Sequence, residues 1–168
     1  MSLLILQPST YCLLPSSERL PGRTGRWYPV GMKRKVNVGI VGLGRAGRDM
    51  QRRELEALPD QFEIVAAADH CPERLRDLPE AFGRARLYGH YAALLADPDV
   101  ELVAIAVRHP EHTPFAIQAL EAGKAVSVDK PLALSACQFA ALEAAAIRHP
   151  GKLFPRHNRR FEAPFQKV

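Results

Sequence analysis

Cysteine is scarce in this chain and forms no pattern: Cys12, Cys71 and Cys137 are three in 168 residues, with no C-x-x-C pair. That excludes a disulfide framework and a cysteine-rich zinc site, and it fits a reduced, cytoplasmic setting. Long apolar runs are missing too. None approaches the roughly 20 residues of a membrane helix, so no membrane partner is expected. An excess of one charge is missing where it would matter. The net charge is +5, yet residues 1–35 carry six basic side chains against Glu18, and residues 36–168 carry 17 of each sign. The excess belongs to the leading segment rather than to a basic groove, so nucleic acid is not an expected partner. His109 and His112 lie three apart. No third ligand accompanies them, so helix-start roles and no metal are expected.

The leading 32 residues read differently from the rest. Leu3-Leu4-Ile5-Leu6 starts apolar but has no positive flank, and Gln7-Pro8-Ser9-Thr10 interrupts it, which makes a poor secretory signal. Pro15 to Gly31 is rich in Pro, Gly, Ser and Arg, a composition that suits disorder. Residues 1–32 are therefore expected to be an extension upstream of a single domain at 33–157, with Met32 a natural start.

What is present is most concentrated at Val36–Gly47 (VNVGIVGLGRAG), a short apolar run that breaks into G-x-G-x-x-G and continues as a helix-like segment. Strand, glycine turn and helix start in that order can grip a dinucleotide pyrophosphate. Gly42 permits the tight turn, Gly44 lacks the Cβ that would hold the phosphates off the backbone, and Gly47 lets the helix pack close to the strand. The helix N-terminus then turns its N–H groups and positive dipole end to the anion. The whole loop is the expected cofactor-binding segment: Gly42, Leu43, Gly44, Arg45, Ala46 and Gly47.

The second half of such a fingerprint is an acid about 20 positions on, at the end of the next strand. Phe62–Ala68 ends in Asp69, 22 residues after Gly47. A carboxylate there accepts the adenosine ribose hydroxyls and repels a 2′-phosphate, which favours NAD over NADP. His70 beside it, assigned to the same site, and Arg74 one turn on soften that preference.

From Val36 onward strands alternate with helical segments, the mark of a parallel sheet. The pattern predicts helices over Arg45–Leu58, Asp69–Phe82 (short, with Pro72 at its start), Tyr91–Ala96, His112–Ala122 and Ala136–His149. It predicts further strands at Arg86–Tyr88, Val100–Val107, Ala125–Val128 and Leu153–Arg156. Ser135 and Gln138 have the spacing of a capping box. The fold class expected is α/β, a doubly wound parallel sheet.

Taken in order, GLGRAG, Asp69, ADPDVELVAIAV, His112 with ALEAGKAVSVDKPLAL, and NRRF resemble the Gfo/Idh/MocA oxidoreductases over about residues 36–168. The resemblance implies an N-terminal Rossmann domain followed by a larger α/β domain. It also implies hydride transfer between NAD(P) and a hydroxyl carbon of a sugar, cyclitol or similar compound. The family's Glu-Lys-Pro motif falls on Asp129-Lys130-Pro131, with the acid one methylene shorter. Lys130 would then be the catalytic lysine at the substrate hydroxyl, and Asp129 would lie at the cofactor. The family's Thr-Pro-Asn falls on Val107-Arg108-His109, which departs from it but places Val107 and His109 along the cofactor.

The resemblance also implies an acid/base histidine and an aspartate from the second domain, which lies beyond this sequence. Residues 158–168 are expected to begin the crossing toward it, and the chain is expected to be catalytically incomplete alone. Its small-molecule polyol or sugar substrate is then met only when the second domain is supplied. Oligomeric state stays open. So do two other readings: a non-enzymatic NAD(H)-binding regulatory module or subunit, and a nonfunctional gene fragment.

Overall fold

The computed structural model describes residues 34–76 and 78–157. The expected extension at 1–32 and the expected crossing at 158–168 lie outside them. Six strands form one sheet: β1 (Val36–Val41), β2 (Phe62–Ala68), β3 (Arg86–Tyr88), β4 (Leu102–Ile105), β5 (Ala125–Asp129) and β6 (Leu153–Arg156). Every pairing is parallel, and the strand order is β3-β2-β1-β4-β5-β6. The order reverses between β1 and β4, so the carboxyl ends of those two strands open the crevice where doubly wound sheets bind ligands.

Side-chain alternation builds a core on each face. Val38 and Ile40 of β1, with Leu102 and Ala104 of β4, point to one face and meet Phe62, Ile64 and Phe82. Val41, Val103 and Ile105 point to the other and pack with Ala116, Leu120, Val126, Val128 and Leu142. A sheet covered on both faces needs apolar residues at odd and even positions alike, which is why β4 is buried along its whole length. Among the described residues no helix is long and apolar enough to cross a membrane.

The helices follow the expected order, with three differences. The first helix does not run uniformly from Arg45 to Leu58. Ala46–Gln51 is a π-helical turn leading into α1 (Arg52–Glu56), and its wide ladder is marked by Arg52 N–H donating to the Gly47 carbonyl. The predicted helix at Asp69–Phe82 is instead two 3₁₀ turns, Pro72–Leu75 and Glu80–Phe82. Pro72 opens the first turn, and Pro79, within the predicted span, supplies no backbone N–H for a continuous ladder. The helix predicted at His112 starts three residues earlier, as α3 (His109–Glu121). There the Glu111 carboxylate accepts the Arg108 N–H at 3.2 Å and closes the helix start.

The remaining helices, α2 (Tyr91–Ala96) and α4 (Ala136–Arg148), lie where the pattern places them. Ser135 Oγ accepts the Gln138 N–H, while Gln138 Oε1 accepts from Leu134 N, one residue upstream of the usual capping-box partner.

Candidate functional site

The carboxyl ends of β1, β2 and β4 converge on a cleft of about 510 Å³, within the usual range of about 300–1,000 Å³ for cofactor pockets. Its floor is the glycine loop, at two positions of which only glycine fits. Gly42 has φ +88°, and a Cβ on it would lie 2.6 Å from the Ala106 carbonyl oxygen. A Cβ on Gly47 would collide with the Gly42 carbonyl oxygen. Gly44 differs from both. Around a Cβ built there, the nearest atom is Arg74 Nη1 at 3.9 Å, so this position faces open space. Two glycines are thus demanded by packing, and the third leaves a cradle that a side chain would fill.

The helix behind the loop supplies donors. Its first intrahelical bond runs from Arg48 N to Gly44 O at 2.9 Å, so the N–H groups of Gly44 to Gly47 precede the ladder. An anion set over Gly44 would meet them and the positive end of the helix dipole.

Asp69 closes the β2 side of the cleft. Its side chain is 1% exposed. Oδ2 accepts the Leu43 N–H at 2.7 Å and Arg74 Nη1 at 3.3 Å, and Oδ1 accepts the Cys71 N–H at 2.9 Å. Burial pushes this carboxyl up, but the N–H groups of Cys71 and Leu43 together with Arg74 outweigh it and hold it below its ordinary value. Asp69 therefore fastens the glycine loop to the end of β2 as an ionised group. Leu43 contributes its backbone N–H, while its side chain is buried in the core.

The other expected positions divide. Arg45, Ala46, His70 and Val107 line the cleft, whereas His109 is exposed and does not. Asp129 and Lys130 do not line it either. Asp129 accepts Arg156 Nη1 from both oxygens at 3.2 Å and takes the Lys130 N–H at 3.0 Å. Lys130 is exposed and lines a shallow groove with Leu132, Phe139 and His157, and its peptide to Pro131 is cis. His112 is 1% exposed and lies between the segments that follow β4 and β5. Its Nδ1 lies 2.8 Å from the Pro131 carbonyl oxygen, and its Nε2 lies 3.1 Å from that of Val107. Among the described residues no group of three or more His, Cys, Asp or Glu is placed to hold a metal ion.

Two features escaped the sequence reading. One is the part of the wall that starts beside Asp69, just past β3, formed by Gly89, His90, Tyr91 and Phe115. The Tyr91 ring stacks on that of Phe115 at 4.3 Å, and the Tyr91 hydroxyl donates to the Phe115 carbonyl. The position of Gly89 and His90 just past β3, on the carboxyl edge, was the available signal. The other is Arg156, whose guanidinium is buried between Glu54 and Asp129. Glu54 lies 102 residues away in sequence, and no local pattern announces that pairing.

Comparison with known proteins agrees with this geometry. The chain is 34% identical over 133 residues to 1-carboxy-3-chloro-3,4-dihydroxycyclohexa-1,5-diene dehydrogenase of Comamonas testosteroni, covering 79% of this chain and 33% of that protein. It is 33% identical over 134 residues to inositol 2-dehydrogenase of Acidothermus cellulolyticus, covering 79% of this chain and 39% of the other. The crystal structure of the WlbA dehydrogenase from Bordetella pertussis, in complex with NADH and UDP-GlcNAcA, superposes with a TM-score of 0.72. That likeness is at 26% identity and covers 80% of this chain and 41% of that one. The chain thus spans about a third of the length of the curated relatives it matches. The GFO_IDH_MocA family model matches residues 36–157, and the chain belongs to this family of oxidoreductases with an NAD-binding Rossmann fold.

Proposed function

We propose that this chain is the NAD(H)-holding part of a dehydrogenase that moves hydride between the nicotinamide ring and a hydroxyl carbon of a sugar, cyclitol or related compound. The observation that carries the reading is the open cradle over Gly44, with Asp69 bonded to Leu43 N beside it. The relatives' names, an inositol dehydrogenase and a dihydroxycyclohexadiene dehydrogenase, support the substrate class. The domain is taken as residues 33–157, in keeping with the family match over 36–157.

The cofactor supplies the hydride chemistry when bound. The residues of this chain seat it. Gly42 and Gly47 set the turn, Gly44 leaves room for the pyrophosphate, and the N–H groups up to Gly47 point at its charge. Val107 borders the cleft from the end of β4. Lys130, on the loop after β5, would steady the substrate oxygen as a cation while charge builds on it. Asp129, gripped by Arg156, orients that loop rather than touching the cofactor. Acid/base and remaining substrate groups come from a further domain of such proteins, and the working compartment is the cytoplasm.

Titration calorimetry of the chain with NADH tests the reading. Binding in the micromolar range, about 8 kcal/mol, is expected. A folded protein that gives no heat with NADH would sink it.

A further inference from the structure

We propose that Arg156 is a positioning residue for Lys130: through Asp129 and Glu54 it ties the loop that carries the lysine to the helix that grows out of the glycine loop. The proposal rests on the reading of Lys130 as the cation at the substrate oxygen and of the glycine loop as the cofactor seat.

The alternation along β5 decides where the bridge forms. Val126 and Val128 enter the core shared with α3 and α4. Ala125, Ser127 and Asp129 therefore turn to the opposite face, where Leu55 and Leu58 pack. An acid on that apolar face needs a cation beside it. Arg156, the register partner of Asp129 on β6, supplies one. Its Nη1 reaches both Asp129 oxygens at 3.2 Å. Its Nε, at 3.0 Å, and its Nη2 take the two Glu54 oxygens as a fork. A guanidinium whose side chain is 6% exposed thus spends three nitrogens on two acids. One acid stands at the root of the Lys130 loop, and the other belongs to α1.

Lys130 is held on both sides and open between them. Its N–H donates to Asp129 Oδ1 at 3.0 Å, so the carboxylate that Arg156 grips also fixes the lysine backbone. Downstream, His112 Nδ1 meets the Pro131 carbonyl and the Thr113 hydroxyl donates to that of Leu132. The lysine itself is exposed, and among the described residues its ammonium makes no ion pair. Arg156 offsets the charge of the adjacent Asp129, which leaves that ammonium for a ligand. Hydride transfer needs the lysine and the nicotinamide at a set separation. The turn that follows the glycine loop, Ala46–Gln51, runs straight into α1. Glu54 in α1 therefore references the Lys130 loop to the cofactor seat directly, and Arg156 is the link.

The test is amide exchange followed by NMR on the full 168-residue chain. Lysine labelled with 13C reports the Lys130 side chain, and Lys130→Arg assigns its signal. In Arg156→Leu the Lys130 N–H is expected to exchange about tenfold faster, the worth of one hydrogen bond to a charged group. A role in overall stability alone would speed the amides of β1 and β4 and leave that of Lys130 at its native rate. That result would overturn the proposal. Asp129→Asn keeps Arg156 on Glu54 and carries the test if the leucine variant does not fold. It should speed the same amide by about threefold, and an unchanged rate would again overturn the proposal. Added NADH is expected to move the Lys130 Cε signal of the native chain, and to move it less in Arg156→Leu at a calorimetric affinity within about twofold. NADH that binds without moving the native signal would overturn the placement of Lys130 at the cofactor, and with it the role of Arg156, even where the exchange result holds. A folded chain that binds no NADH would overturn the cofactor seat itself.

Discussion

His112 Nδ1 stands 2.8 Å from the Pro131 carbonyl oxygen, which ties the first turn of α3 to the loop that carries Lys130. The same ring faces the Val107 carbonyl through Nε2, and the neighbouring Thr113 hydroxyl donates to the Leu132 carbonyl at 2.8 Å. Two adjacent side chains thus stitch the exits of β4 and β5 together. His112→Ala removes a fully buried ring and leaves both carbonyls without it, so a stability loss of about 2–3 kcal/mol is expected. Thr113→Val keeps the shape and loses one hydrogen bond, at a cost of about 1 kcal/mol. Urea midpoints of the two variants check the order; equal midpoints for His112→Ala and the native chain would refute the stitch.

Acid should loosen the fold through two buried carboxylates. For Asp69 and Asp97 alike, burial pushes the carboxyl up and hydrogen-bond donors more than reverse it. The donors to Asp97 are Arg86 Nε at 2.8 Å, Arg86 Nη2 at 2.9 Å, the Tyr88 hydroxyl and the Asp99 N–H. With the folded values depressed, the unfolded chain takes up protons first as pH falls. The stabilisation is therefore present above about pH 4, near the unfolded value, and is lost as pH drops through the folded ones. Asp97→Asn is expected to cost about 1.5 kcal/mol at pH 7 and to flatten the decline between pH 5 and pH 3. A variant whose urea midpoint falls as steeply as the native chain's would count against this account.

The strands and the glycine loop were legible because their causes are local. Apolar runs such as Leu102–Ile105, and glycines at fixed spacing, state their own geometry. The region after β2 was not legible as drawn. Helical spacing over Asp69–Phe82 accommodates Pro72 as a helix start but not Pro79, which breaks the ladder, and it carries no sign that Asp69 turns inward to Leu43 and Cys71. The role of Asp69 was half legible: its position at the strand end follows from pattern, whereas its enclosure by donors depends on how the glycine loop folds back. Arg156 with Glu54 and Asp129 was illegible, because the three meet only once β6 lies beside β5 and α1 brings Glu54 to them.

The glycines of the loop should separate folding from binding. Gly47→Ala places a Cβ against the Gly42 carbonyl, a backbone atom that cannot move without opening the turn. A drop of several degrees in Tm is expected, consistent with a loss of about 2 kcal/mol. Gly44→Ala meets only the flexible tip of Arg74 at 3.9 Å, so its Tm should stay near that of the native chain while NADH affinity falls by about tenfold or more. Thermal melts and calorimetry on the same samples decide. If Gly44→Ala bound NADH as tightly as the native chain, the phosphate cradle would be elsewhere.

Arg156 makes the last case, because a buried guanidinium holds two carboxylates that belong to different parts of the fold. Its side chain is 6% exposed, while those of Glu54 and Asp129 are 25% and 20% exposed. Burial already pushes the Glu54 carboxyl above its ordinary value despite the arginine. Arg156→Leu would leave two partly buried acids facing each other with no cation between them. Complete burial would put the cost near 3–5 kcal/mol; the partial access of water to both acids lowers it to about 2 kcal/mol. The sign of the pH response gives a sharper check. Without the arginine, nothing offsets the burial that raises the Glu54 carboxyl, so this acid takes up a proton more readily folded than unfolded. The variant should therefore regain more stability than the native chain as pH falls from 7 toward 5, because in the native chain the arginine restrains the rise of Glu54. Urea midpoints at pH 7 and pH 5 measure it. A variant that is equally destabilised at both would show that Arg156 matters for packing and not for charge.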